Sequence, residues 1–160
     1  MASDYRIASG LTRAERSRSL FPKPKPSNPA ARLGLRYERK VGKELDAHTR
    51  RGNFIKTEHN PWFTFYDEFG HGNCSPDFLL FLENGVVVVE VKLTWVEVAL
   101  AKLAELYCPV VSVALGMPSR PLVICHNLSK GAPVATLSLR EAIAQPNKPL
   151  LWPSNGHILW

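Results

Sequence analysis

The segment Ser75–Leu93, SPDFLLFLENGVVVVEVKL, sets the fold class that we expect for this 160-residue chain. Two apolar runs, Phe78–Leu82 and Val86–Leu93, flank a turn containing Asn84-Gly85, and Asn-Gly between apolar runs is a strong signal for a β-hairpin. Four consecutive valines are typical of a central strand that is buried on both faces. The segment therefore predicts an antiparallel hairpin whose second strand lies inside a sheet.

Helical and extended patterns on both sides of the hairpin favour an α/β domain. Apolar residues at helical spacing predict one helix from Ala31 to about Arg50 and a second from Trp95 to about Leu106, ended by Pro109. The remaining predicted elements are extended segments at 54–65, 109–115 and 121–126, a turn-rich loop at 67–73 and a short capped helix at 138–144. Helices that flank a mixed central sheet form a three-layer α/β domain.

Charge divides the chain unevenly. Residues 1–56 carry 14 of the 20 lysines and arginines but only five of the 14 acids, a local net charge of +9, whereas the remaining residues carry −3. Four prolines within 21–30 disfavour a helix there. We expect a basic, proline-containing arm at 1–30, a folded domain at 31–145 and an apolar tail at 146–160. A basic part beside a mildly acidic body favours a polyanionic partner such as nucleic acid.

Composition also disfavours several classes of protein. The chain has no run of 18 apolar residues, so we expect no membrane-spanning helix, and its first 20 residues lack the apolar core of a secretory signal. The three cysteines include no Cys-x-x-Cys pair. This pattern disfavours a disulfide framework and favours a reducing compartment.

Charged side chains at the end of the valine strand are the unusual feature. Glu90 and Lys92 lie on one face of the strand and Val91 on the other, and a buried charge needs a partner, a metal ion or water. Counting outward from the turn pairs Asp77 with Lys92 and makes Glu90 its diagonal neighbour. Two carboxylates this close repel unless a divalent cation lies between them, and oxygen ligands suit Mg²⁺ or Mn²⁺. With a lysine beside it, such a site suits phosphodiester hydrolysis.

These residues carry a resemblance to a known family. The stretch Ser75-Pro76-Asp77, with Glu90 thirteen positions after the aspartate and a lysine two positions later, resembles the motif of the PD-(D/E)XK nuclease superfamily. The resemblance covers about residues 31–128 and implies a restriction-endonuclease-like core. It departs from one exonuclease branch, because Leu103 stands where that branch has glutamine.

The resemblance implies a role for each residue of the motif. Asp77, Glu90 and the backbone carbonyl of Val91 would bind Mg²⁺ or Mn²⁺. Lys92 would serve the attacking water, and Glu38 on the preceding helix would contact the same metal ion or a second one. Similar single-domain members include junction-resolving endonucleases of phages and archaea and phage head-associated nucleases, which are commonly dimers.

The chain is therefore expected to be a metal-dependent DNA endonuclease that acts on branched or duplex DNA. Its expected location is the cytoplasm of a bacterial or phage-infected cell, or a virion, and a homodimer is an expected state. The cations expected to contact the DNA backbone are Arg13, Arg16, Arg18, Lys23, Lys25, Arg36, Lys40, Lys43 and Lys102.

Several alternatives stay open at this point. Glu44 is the rival to Glu38, although it lies off the apolar stripe of its helix. His71 and Cys74 could join a zinc site, but no second paired spacing supports one. The aromatic residues at 62–66 fit a core strand better than a base-stacking surface. The arm could bind a protein partner, and the whole chain could be a nucleic-acid-binding or virion structural protein that retains the fold without catalysis.

Overall fold

The computed structural model describes residues 6–19 and 25–160. The strands are β1 (Arg13–Ser17), β2 (Lys56–His59), β3 (Trp62–Asp67), β4 (Gly70–Cys74), β5 (Phe78–Leu82), β6 (Gly85–Thr94), β7 (Ser119–Asn127) and β8 (Leu150–Leu151). The helices are α1 (Pro29–Arg50), α2 (Glu97–Lys102), a π-helical turn (Leu103–Tyr107), α3 (Cys108–Leu115) and α4 (Leu139–Ala144). Because α2, the π-helical turn and α3 follow one another directly, we call Glu97–Leu115 the long helix.

Two sheets organise the described residues. The larger sheet has the order β2-β5-β6-β7-β8; its β2, β5 and β6 pair antiparallel, and β6, β7 and β8 pair parallel. The smaller sheet has the antiparallel order β1-β3-β4. The long helix connects β6 to its parallel neighbour β7, as the crossover between parallel strands requires. The predicted hairpin and its valine strand are therefore confirmed at the centre of the larger sheet.

The larger sheet is covered on both faces. Residues Val87, Val89 and Val91 of β6 pack with α1 and α4 on one face. The alternate residues Val86 and Val88 pack on the other face with the long helix and the smaller sheet. This two-residue alternation divides one strand between two apolar clusters. The predicted three-layer α/β architecture is confirmed.

Helix α1 begins and packs for reasons that the sequence makes plain. The side chain of Asn28 accepts a hydrogen bond from the amide of Ala31, and a proline follows the cap directly. Tyr37, Val41 and Leu45, four residues apart, form its buried stripe. Between them Gly42 allows close approach, because a Cβ there would lie 3.0 to 3.1 Å from the rings of the strand residues beneath it.

The segment from 109 to 115, predicted as a strand, is instead the last part of the long helix. Pro109 lacks the amide hydrogen that would bond to the carbonyl of Glu105 four residues earlier, and the helix passes this point through the π-helical turn. The amide of Ala8 donates to that carbonyl at 3.1 Å. Pro109 therefore leaves an acceptor that the N-terminal segment uses.

The described part of the N-terminal arm belongs to the folded body. Strand β1 pairs with β3 along five residues, from Arg13 opposite Tyr66 to Ser17 opposite Trp62. Arg6 forms an ion pair with Asp67, whose side chain is buried. The structure therefore differs from the expected separate arm, because residues 13–17 form an edge strand of the smaller sheet and residues 6–12 contact β3 and the turn after it. The predicted loop at 67–73 also differs, since 70–74 form its third strand, β4.

The expected C-terminal tail is likewise part of the domain. Strand β8 pairs with β7, and the side chains of Trp152 and Ile158 are buried in the cluster that α1 covers. The backbone amide of Ile158 donates to Glu44 at 2.7 Å, and its carbonyl lies 2.7 Å from the ring of His48. The boundary expected at residue 145 therefore does not divide the structure.

One helix of the described residues, Glu97–Leu115, is long and apolar enough by length and composition alone to cross a membrane. Its sequence is interrupted by charges, which is why the search for unbroken apolar runs predicted no such helix. Leu103, Val110 and Val111 of this helix are fully buried in the protein core. This packing accounts for its apolar composition within a compact α/β protein.

Candidate active site

The β5–β6 register brings the two acids of the motif close together. Phe78 pairs with Val89, which places Asp77 just before β5 and Glu90 just after Val89 in β6, and the charge of Asp77 raises the pKa of Glu90. The predicted pairing of Asp77 with Lys92 is wrong by two residues, because the hairpin loop is Glu83-Asn84 and not Asn84-Gly85. A two-residue offset preserves the face of each side chain, so both acids and the lysine still share one face.

Asp77 is held in place by three hydrogen bonds. Its amide donates to the carbonyl of Val89 at 3.1 Å, and its own carbonyl accepts from the amide of Asn60 at 2.8 Å. Its carboxylate Oδ2 accepts from the amide of Val91 at 2.7 Å. The aspartate thus bridges the start of β5 and the middle of β6, and its orientation is fixed by backbone groups.

Glu90 is an acid in an apolar position. The residue is 6% exposed, and its Oε2 is buried without a hydrogen-bond partner among the described residues. Burial first, and then the neighbouring charge of Asp77, raise the pKa of Glu90 to about 7, although Lys102 and Lys92 oppose the shift. A cation between the two acids would offset both causes of this pKa shift. It would replace the water that burial removes from the carboxylate, and its charge would neutralise the repulsion between the acids.

Lys92 lies at the solvent side of this pair. Its Nζ is 3.6 Å from Oε1 of Glu90, and its side chain is 40% exposed. The ammonium is therefore near enough to lower the pKa of Glu90, yet still open to solvent. It can contact both the site and a molecule that approaches from outside.

The long helix contributes two further groups to this face. Lys102 lies 4.8 Å from the centre of the Tyr107 ring, and the charge of Lys102 lowers the pKa of Glu90. Burial, and then the charges of Glu90 and its neighbours, raise the pKa of Tyr107 well above its usual value. Both side chains line a cavity of about 280 Å³ together with Arg6 and Cys74.

Sequence reasoning predicted Lys102 as a DNA contact but missed Tyr107. The only signal for it was local: Pro109 two residues later disrupts the helix, and π-helical turns are frequent at functional sites. That signal was interpreted as the end of the helix.

Glu38 lies in a different cavity. This cavity of about 320 Å³ is on the α1 side and is also lined by Asn60 and Phe78. The amide of Asn60 donates a hydrogen bond to the carbonyl of Asp77, and Phe78 is the residue after Asp77. The rival, Glu44, accepts hydrogen bonds from the C-terminal tail and so has a structural contact of its own. Within the described ranges no group of three or more His, Cys, Asp or Glu residues could hold a metal ion.

Two observations nevertheless indicate that the carboxylates of Asp77 and Glu90 suit a hard cation. The buried Oε2 of Glu90 has no hydrogen-bond partner in the described part of the chain, and Asp77 brings a second carboxylate near enough to raise the pKa of Glu90. Carboxylate oxygens are what Mg²⁺ and Mn²⁺ prefer, and Mg²⁺ is commonly held by one or two carboxylates with waters and substrate oxygens completing its shell. The Val91 carbonyl, predicted as a further ligand, stays a prediction.

The cations predicted to contact DNA fall into several groups. Arg13 stacks over the Tyr66 ring at 4.4 Å, and Arg16 forms two hydrogen bonds with Glu58, so both have partners within the protein. Lys25 and Arg36 line one shared cavity. Arg18, Lys40 and Lys43 are exposed, and Lys23 lies outside the described residues.

The remaining alternatives can be compared with the structure. Phe63 and Phe65 are buried, which confirms the core interpretation for these two aromatic residues. Cys74 is a buried free thiol, and burial raises its pKa to about 12. Among the described residues Cys74 belongs to no group of three or more His, Cys, Asp or Glu side chains that could hold a metal ion. His71 contacts the ring of Tyr66.

Comparisons with known proteins give one structural likeness. No family model and no curated protein matches the chain. The fold is similar to that in the crystal structure of protein VC1899 from Vibrio cholerae, with a TM-score of 0.50 and 14% sequence identity over 78% of this chain. The match covers 32% of the other chain, so this chain spans about a third of its length. At this identity the likeness concerns the fold alone.

Proposed function

We propose that this chain is a metal-dependent DNA endonuclease that hydrolyses phosphodiester bonds with Mg²⁺ or Mn²⁺. The observation that supports this proposal is the closeness of Asp77, at the start of β5, to the buried Glu90 of β6, with Lys92 3.6 Å from Glu90. Of these three groups Glu90 is buried, and a buried carboxylate without a partner costs free energy. A divalent cation and a phosphate group give all three a role.

In this proposal Asp77 and Glu90 hold the cation, and the carbonyl of Val91 is a third oxygen ligand. When bound, the cation stabilises negative charge on phosphate oxygens and lowers the pKa of water. The Val91 amide keeps the Asp77 carboxylate oriented at 2.7 Å, so no reorganisation is needed when substrate arrives. Lys92 orients the attacking water and donates a hydrogen bond to the phosphate as negative charge develops. Glu38 contacts a metal ion from the α1 side.

Cleavage of labelled branched, duplex and single-stranded DNA with Mg²⁺, Mn²⁺ or a chelator tests the proposal. The wild-type protein should cut only with metal, with branched or duplex DNA preferred. Asp77→Asn should abolish cleavage and keep DNA binding, since one repulsive charge near phosphate is removed. Glu83→Gln, an equal loss of charge at the exposed turn of the same hairpin, is the control and should cut normally. Equal cleavage by Asp77→Asn would refute the site.

A second candidate is a DNA-binding or virion structural protein without catalysis. It is favoured by the finding that the described acids form no group of three around one point. DNA binding without cleavage under every metal condition would support this candidate. The proposed reducing location, the cytoplasm of a bacterial or phage-infected cell or a virion, agrees with the free thiols of the three cysteines. The homodimer is tested by mass in solution.

A further inference from the structure

A strongly basic cavity lies along the exposed side of α1. It has a volume of about 400 Å³ and is lined by Lys25, Pro26, Arg32, Leu35, Arg36 and Arg39. We call this cavity the basic groove. Its lining in the described part of the chain holds four cations and no carboxylate.

Helical geometry explains why the arginines converge. Arg32, Arg36 and Arg39 are spaced by four and three residues, so they lie within one stripe of α1 at about 100° per residue. The buried stripe of Tyr37 and Val41 lies on the opposite side of the same helix. All three arginines are exposed, so folding of α1 does not account for them.

The basic groove continues toward the candidate active site. The neighbouring cavity of about 320 Å³ shares Lys25, Pro26, Leu35 and Arg39 with it, and also contains Glu38, Asn60 and Phe78. The backbone amide of Asn60 donates a hydrogen bond to the carbonyl of Asp77, and Phe78 follows Asp77 in the chain. A chain-like ligand seated in the basic groove is therefore directed toward the strand end that carries Asp77.

The arrangement selects a ligand with repeated phosphate groups. Arg32 and Arg39 are separated by seven residues, or about 10 Å along the helix axis. The rise along the B-DNA axis is about 3.4 Å per nucleotide, and backbone winding places neighbouring phosphates of one strand farther apart than that, so this span suits about two to three consecutive phosphates. Guanidinium groups recognise phosphate through paired hydrogen bonds, and Leu35 adds an apolar surface for a sugar.

We propose that the basic groove binds consecutive backbone phosphates of one DNA strand and leads that strand toward the start of β5, where Asp77 lies. This inference rests on the proposed nuclease function for its choice of ligand. In this proposal the main DNA contact is made by arginines of α1. Arg13 and Arg16 of β1 contribute less, because they have partners within the protein. The proposal also adds Arg32 and Arg39 to the cations that the sequence pattern had singled out.

Binding across a salt series tests the proposal without any catalysis. The triple variant Arg32→Gln, Arg36→Gln, Arg39→Gln is compared with a matched control, Lys130→Gln, Arg140→Gln, Lys148→Gln, which removes the same charge elsewhere. Fluorescence anisotropy with labelled duplex and single-stranded DNA is measured in chelator. The groove variant should bind at least about tenfold more weakly at moderate salt, and the slope of log K against log salt should fall by about 2 to 3. The control should keep the wild-type slope.

Equal slopes for the groove variant and the control would overturn the proposal. A triple arginine-to-lysine variant, which keeps the charges, should restore most of the slope, and single glutamine variants should each lower it by about one if the triple variant does not fold. Groove-dependent binding to phosphatidylserine vesicles without DNA binding would also overturn it. If the wild type never cuts DNA but the slopes of the groove variant and the control still differ, the proposed nuclease function is refuted and DNA binding by the basic groove is supported. If the wild type cuts DNA but the slopes are equal, the nuclease function is supported and the role of the basic groove is refuted.

Discussion

Raising the pH of the metal-free protein through neutrality should destabilise it because of Glu90. The residue is 6% exposed, and burial together with Asp77 raises its pKa from 4.5 to about 7. Between these values the folded state holds a proton that the unfolded state has lost. The stabilising contribution is therefore complete below pH 4.5 and is lost as the pH rises through 7. The full loss is on the order of 3 kcal/mol.

Urea unfolding of wild type, Glu90→Gln and Glu83→Gln at about pH 5 and about pH 8, in chelator, measures this effect. Wild type and the exposed Glu83→Gln control should lose stability at the higher pH. Glu90→Gln should lose much less, because its amide does not ionise. Mg²⁺ should then restabilise wild type at the higher pH and leave Glu90→Gln unchanged, since the ion binds the ionised pair. The same decline in Glu90→Gln would refute the reasoning.

Two other perturbations separate catalysis from folding. Lys92→Ala should lose most turnover in a cleavage assay but keep Mn²⁺ affinity, because an ammonium is not a metal ligand; undiminished cleavage would remove this lysine from the mechanism. Arg6→Ala should lower the midpoint of thermal unfolding, because it removes the ion pair with Asp67. Burial alone would raise the pKa of Asp67, but Arg6 helps to hold that pKa below its usual value. That stabilisation is present above the unfolded pKa and lost as the pH falls, so the difference from wild type should shrink in acid; a constant difference would contradict it.

The hairpin could be predicted because its signals are local. Alternating burial and the turn residues all lie within twenty positions of one another, and the same-face placement of Asp77 and Glu90 follows from strand periodicity. The exact pairing could not be predicted, because a loop of Glu83-Asn84 and one of Asn84-Gly85 both fit the sequence. Moving the loop by one residue shifts the strand pairing by two residues, which leaves every side chain on its face. The prediction that Glu90 and Lys92 share a face with Asp77 therefore does not depend on which loop forms.

The errors occurred where a distant residue determines the outcome. A proline such as Pro109 normally ends a helix, but here the helix continues past it, and the amide of the distant Ala8 donates to the carbonyl of Glu105. The valines after Pro109 favour a strand by propensity, and burial in the long helix overrides that preference. Likewise, nothing near Arg13–Ser17 indicates that its pairing partner is β3, about fifty residues later.

The most direct test of the central claim is Mn²⁺ binding to the DNA-free protein, measured by electron paramagnetic resonance. The claim is that Asp77 and Glu90 together hold one divalent cation. Wild type should bind one Mn²⁺ ion, and the control variant Glu44→Gln, which changes an acid that contacts the C-terminal tail, should bind it with the same affinity. Asp77→Asn and Glu90→Gln should each lose this binding while remaining folded. Unchanged Mn²⁺ affinity in both of these variants would contradict the account.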